Sequence, residues 1–169
     1  MRRVMSAVFG ILLLAVALHA QETATPNLAG TWHFANGDTV AAATAAKLIA
    51  GPIFGDEFVA EQSATVLTLK ISAGSLRVTA IYALDGSVSR NTSPAAGPGA
   101  AAIEVTSRAH WDAGRLVITS SSQSPGPTGP VVVESTRTMW LDEKGRLVID
   151  RTGTPAAMVP SSRSVYAKQ

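Results

Sequence analysis

The chain has 169 residues, of which 46% are hydrophobic, 15% charged and none cysteine. That length fits one domain, and the charge is too sparse for a disordered polyelectrolyte tail. Without cysteine there is no disulfide scaffold, thiolate metal site, cysteine nucleophile or lipid-modified N-terminal cysteine.

Residues 1–20 read as a secretory signal peptide. Arg2 and Arg3 precede an apolar run from Val8 to Leu18, and His19, Ala20 and Gln21 then turn small and polar. The run is shorter than the roughly 20 residues of a membrane span. Cleavage after Ala20 leaves residues 21–169 as a domain in the periplasm or outside the cell. It removes two basic residues and no acidic ones, so 12 of each remain. A neutral domain with no run of basic residues has no electrostatic footprint for nucleic acid or an anionic membrane. No membrane insertion is expected after cleavage.

A first strand is predicted over Thr31–Phe34. Asp38 can cap a helix, and the Ala-rich stretch Thr39–Ala50 carries it to a stop at Gly51-Pro52. Beyond Phe58 the chain alternates with period two, as strands do. Leu67, Leu69 and Ile71 share one face. After a turn at Ser72-Ala73-Gly74, Leu76, Val78, Ala80, Tyr82 and Leu84 share another. Asp85-Gly86 gives a hairpin signal. Further strands are expected at Ile103–Trp111, Arg115–Ser121, Val131–Leu141, Arg146–Thr152 and Ser162–Ala167. The Pro- and Gly-containing stretches Asn91–Ala101 and Gln123–Pro130 read as loops at one end of the sheet.

Two hairpins repeat one another. Trp111-Asp112-Ala113-Gly114-Arg115-Leu116-Val117-Ile118 parallels the stretch from Trp140 to Ile149, which carries two extra residues around its turn. The pattern is all-β: an antiparallel up-and-down meander of about eight strands with one short helix near residues 39–50. Closure into a barrel would remove the exposed edges of such a meander.

Gly30-Thr31-Trp32 at the start of the first strand resembles the G-x-W opening of lipocalins and their calycin relatives. Arg163-Ser164-Val165-Tyr166 is similar to the Arg-x-Tyr ending of fatty-acid-binding proteins, with one extra residue. Tyr82–Gly86 and the Trp111–Ile118 hairpin resemble uncharacterised lipocalin-like secreted domains of soil bacteria. The resemblance spans Asn27 to the C-terminus and implies a closed barrel around a cavity for a small apolar ligand. The helix after the first strand stands where fatty-acid-binding proteins carry a helical lid, whereas lipocalins place theirs near the end.

Little in the chain points to catalysis. His33 and His110 each neighbour a Trp, and alternation turns both outward if the Trp residues point in. Neither comes with a metal-ligand cluster, and there is no Gly-x-Ser-x-Gly elbow. Asp142-Glu143 reads as turn chemistry and Asp56-Glu57 as a solvated pair. Gly97-Pro98-Gly99 lacks the third Gly and following helix of a dinucleotide loop, and Asn91-Thr92-Ser93 matches a glycosylation acceptor but reads as a turn. No enzyme activity, cofactor or metal is expected.

The inward face is more informative. With Trp111 and Trp140 both inward, Ser107, Ala109, Thr136 and Thr138 leave volume beside them. Glu134 and Arg151 then become interior charges that need each other or a ligand. The predicted ligand-binding residues are therefore Trp32, Tyr82, Trp111, Glu134, Trp140 and Arg151. Two function classes follow: an exported binder of a small apolar molecule, or a structural or interaction module of the cell envelope with a protein partner. They differ in whether the barrel interior is open or fully packed. The leader makes its own prediction: intact-mass analysis of the exported protein should find Gln21 at the N-terminus, and retention of Met1 in the membrane fraction would contradict it.

Overall fold

The computed structural model describes residues 25–169 apart from residues 75, 95–100 and 127. The expected signal peptide and the Gly97-Pro98-Gly99 segment lie outside the described residues. Among the described residues, no helix is long and apolar enough to cross a membrane.

Strand β1 (Gly30–Phe34) leads into helix α1 (Asn36–Ala46) and a two-residue strand β2 (Ile49–Ala50). Then come β3 (Glu57–Gln62), β4 (Val66–Ala73), β5 (Leu76–Ala83), β6 (Asp85–Ser93), β7 (Ile103–Asp112), β8 (Arg115–Gly126), β9 (Gly129–Leu141), β10 (Leu147–Thr154) and β11 (Ser162–Lys168). Among the described residues the protein is a nearly closed antiparallel barrel, with eleven strands rather than about eight. The eight expected strands are all present, as β1, β4, β5 and β7–β11. The three additional ones lack the alternation that marks a strand. β2 has two residues, β3 carries Phe58, Val59 and Ala60 in succession, and β6 is polar apart from Val88.

The ladder runs β5-β4-β3-β1-β11-β10-β9-β8-β7-β6, so β1 joins two meanders by pairing with both β3 and β11. Asp85-Gly86 does not make the expected hairpin: β6 pairs with β7 and exchanges no ladder with β5. Side chains bridge that seam instead. The Asn91 carboxamide accepts from the Ile81 N–H at 2.7 Å and donates to the Ile81 carbonyl at 3.0 Å. Ser89 Oγ accepts from the Ala83 N–H at 2.9 Å. Asn91, read in the sequence as a turn residue, thus imitates a strand backbone. The second expected loop is mostly strand as well, since β8 runs on to Gly126 and β9 starts at Gly129.

The helix is displaced by about one turn from its expected span. It begins at Asn36 without a side-chain cap and ends at Lys47, whose φ of 57° is left-handed. Asp38 lies inside its first turn. Tertiary pairing decides this placement: Thr39 Oγ1 donates to the Val165 carbonyl at 3.2 Å and accepts from the Val165 N–H at 2.9 Å. Ile49 and Ala50 then leave the helical path to pair in parallel with Ser162 and Arg163.

Trp32, Phe58, Leu67, Leu69, Leu116, Met139, Leu147, Ile149 and Tyr166 form the centre of the core and are fully buried. Trp32 Nε1 donates to the Leu28 carbonyl at 2.9 Å, which gives the indole its polar partner. Phe58 meets Tyr166 edge-on at 5.0 Å and Phe54 at 5.1 Å. The Tyr166 hydroxyl accepts from the Phe54 N–H at 2.9 Å and donates to the Gly55 carbonyl at 3.2 Å. Together these contacts fold the segment between β2 and β3 inward.

Two predictions follow from this packing. Burial, the dominant cause, raises the Tyr166 phenol from its ordinary value to about 12. A raised folded value means that the stability it contributes is complete below about pH 10 and is lost as pH climbs through 12. The alkaline limb of a pH–stability curve should therefore flatten in Tyr166→Phe, while stability at pH 7 drops by about 1–3 kcal/mol because the Phe54 N–H loses its acceptor. At the seam, Asn91→Ala should cost about 1–2 kcal/mol in urea melts and accelerate hydrogen exchange at the Ile81 amide. Unchanged exchange there would show that the side-chain bridge does not hold the seam.

Candidate functional site: the polar end of the barrel interior

The cross-strand register builds the interior in layers. In the first layer, Trp111, Leu116, Met139, Ile149 and Ser164 lie opposite one another across β7–β11. The second is Ala109, Ile118, Arg137, Arg151 and Ser162, and the third Ser107, Ser120, Ser135 and Gly153. The interior thus changes from apolar to hydroxyl-lined over two layers, with a pair of arginines at the boundary.

Beyond that boundary lies a cavity of about 280 Å³. Ile103, Val105, Val133, Met158 and Val159 give it an apolar wall; Ser120, Ser122, Ser124, Ser135, Arg137 and Arg151 give it a polar one. Part of its cover comes from the loop between β10 and β11, where Val159 is buried and Met158 is exposed. That loop can seat because residue 153 is glycine. A Cβ there would stand 2.6 Å from Val159 Cγ1 and 2.5 Å from the Glu134 carbonyl oxygen, closer than real Cβ contacts come.

Arg137 and Arg151 face each other directly across the β9–β10 ladder. Like charges in that relation repel. Among the described residues neither has a carboxylate partner, and the Nε of each is buried without a hydrogen bond. Burial first, and then the Arg137 guanidinium, hold Arg151 below the usual arginine value. Arg137 also lies over the Phe54 ring, 5.5 Å from its centroid. Ser162, next in the same layer, has a buried hydroxyl with no partner.

Of the six residues expected to bind a ligand, only Arg151 lines this cavity. Trp32, Tyr82 and Trp111 do point inward, but they belong to the packed apolar end. Trp140 and Glu134 point outward. Trp140 pairs with Val148 on the outer face and carries the Arg115 and Arg163 guanidinium carbons 4.6 and 5.4 Å from its ring. Glu134 is exposed. The error comes from the second hairpin's turn. Asp112 and Arg115 flank the two-residue turn Ala113-Gly114, where both φ values are positive, 45° and 77°. In the second hairpin, Asp142 and Arg146 flank three residues ending in Gly145, with φ of 72°. That odd residue reverses the register, so Leu141 rather than Trp140 takes the place of Trp111. The same reversal carries Thr136 and Thr138 off the interior face, and brings in Arg137 and Ser135, which the sequence reading missed.

The remaining chemical candidates are dispersed. His33 Nδ1 lies 3.3 Å from Glu57 on the outer surface, and His110 is exposed. Among the described residues no three acidic or histidine side chains gather as a metal site. A larger hollow of about 540 Å³ is lined by consecutive residues of β7–β10, including the outward Arg108, Thr119, Glu134 and Thr136. Among the described residues, none of its lining side chains is a buried polar group lacking a partner. No protein-family model matches the chain, and no curated protein matches it.

Proposed function

We propose that this is an exported, non-enzymatic binding protein that holds a compact small molecule in the cavity at the polar end of its barrel. One observation carries the reading: the interior is fully packed at one end and open at the other. A volume of about 280 Å³ is at the lower edge of the roughly 300–1,000 Å³ of small-molecule pockets. With one apolar wall and one polar wall, it suits an amphipathic guest better than a wholly apolar one. The leader at Arg2–Leu18 supports delivery to the periplasm or beyond, and the G-x-W start at Gly30 and the Trp111 hairpin support a calycin-type relationship.

Cavity occupancy is testable without knowing the natural guest. A panel of amphipathic molecules of about ten heavy atoms should contain members that raise the melting temperature or shift the emission of inward-facing Trp111. Ser122→Phe, which puts a ring into the cavity from its half-buried wall, should remove that response while the far-UV spectrum remains that of a β protein. A panel with no effect on either signal would leave the envelope interaction module as the better account.

A further inference from the structure

The interior of this barrel carries uncompensated positive charge. On the described strands, the inward positions hold Arg137, Arg151 and, at the opposite rim, the exposed Lys168, and no aspartate or glutamate. The described structure has three buried side-chain polar atoms without partners: Arg137 Nε, Arg151 Nε and Ser162 Oγ. These three residues stand side by side on β9, β10 and β11 in a single cross-strand layer. A chance scatter of packing defects does not produce a row. Two half-buried guanidinium groups directly opposite one another, each with a buried Nε that has no partner, repel across the ladder, and an anion bridging their cavity-facing nitrogens would relieve that repulsion.

We infer that the Arg137–Arg151 pair, both of whose members line the cavity, is an oxyanion site, and that the guest of this cavity is a compact molecule bearing a carboxylate or phosphate. The inference rests on the proposal that the cavity is occupied, and supplies the chemistry of the occupant. The two guanidinium groups offer N–H donors to oxygen from the cavity wall, and Ser162 stands behind them in the same layer. The anion lies at the end of the cavity that Arg137 and Arg151 line, with Arg137 held there over the Phe54 ring. The rest of the molecule extends past Ser120 and Ser135 toward Ile103, Val105 and Val133, where the wall is apolar on one side. Beneath the arginines, Leu116, Met139 and Ile149 are fully buried in the next layer and stand in the way of a long chain passing deeper. Length is therefore limited at the head end.

Benzoate, phenyl phosphate, benzamide and benzylamine form a suitable probe set, since they share a ring and differ in charge. Calorimetric titration of residues 21–169 should show binding of benzoate or phenyl phosphate, with the preferred anion identifying the headgroup. Benzamide should bind at least about tenfold more weakly and benzylamine not at all. Arg151→Met and Arg137→Met should each abolish anion binding, yet leave the unliganded melting temperature unchanged or higher, because each removes one side of a repulsive pair. A merely structural arginine would give the opposite shift. Equal affinity for benzamide, or a lower melting temperature in both unliganded variants, overturns the oxyanion site while leaving cavity occupancy intact. No thermal or emission response to any amphipathic molecule, charged or neutral, overturns both.

Discussion

The five-residue strand β1 is the splice on which the barrel depends. It is the element that joins two separate meanders, β3–β5 and β6–β11, into one hydrogen-bonded path. Such a junction must hold a fixed register, because a shift of one residue exchanges the inner and outer faces of everything attached to it. Trp32 supplies that register. Its ring is fully buried, its N–H is tied to Leu28, and the ammonium of Lys168 sits 5.7 Å from the ring on the neighbouring strand. An indole of this size does not fit on the outer face and inner face alternately, so one register is selected. The long-range contact between the start and end of the chain is thereby set by a single side chain.

With that register in place, the two ends of the interior acquire opposite characters. At one end the aromatic contacts of Phe58 with Phe54 and Tyr166 pull the β2–β3 segment inside and complete a dry core. At the other, the inward residues of β8 are Ser120, Ser122 and Ser124, too small to meet across a barrel of this girth. The volume they leave is a consequence of side-chain size. The arginines at the boundary are a separate feature, since nothing in the packing of the dry end requires them.

The sequence carried the strands with clear alternation, the hairpin repeat and the inward direction of Trp32, Tyr82, Trp111 and Arg151. It concealed whatever depends on partners distant in the chain. The polar strand β6 has no pattern of its own and is defined by β7 on one side and by the Asn91 and Ser89 bridges on the other. The helix boundaries follow from Thr39 meeting Val165, which no local propensity encodes. The candidate site was half legible for a subtler reason. The repeat of Trp111 in Trp140 was real as sequence but not as geometry, and one extra turn residue sent Trp140 and Glu134 outside and Arg137 inside.

The seam between β5 and β6 also bears on how freely this chain can be rearranged. Gln169 donates its backbone N–H to the Thr31 carbonyl at 3.0 Å, so the last residue of the chain lies beside the first strand. Joining the two through a short linker and cutting the backbone at Leu84-Asp85 would sever no ladder pairing, because β5 and β6 share none. The result would be a circular permutant whose strands follow the spatial order β6 through β11, then β1, β3, β4 and β5. Sequence order and sheet order would then coincide, apart from the short excursion through α1 and β2. Connectivity and architecture are thus separable in this barrel, and the seam marks the place where they come apart.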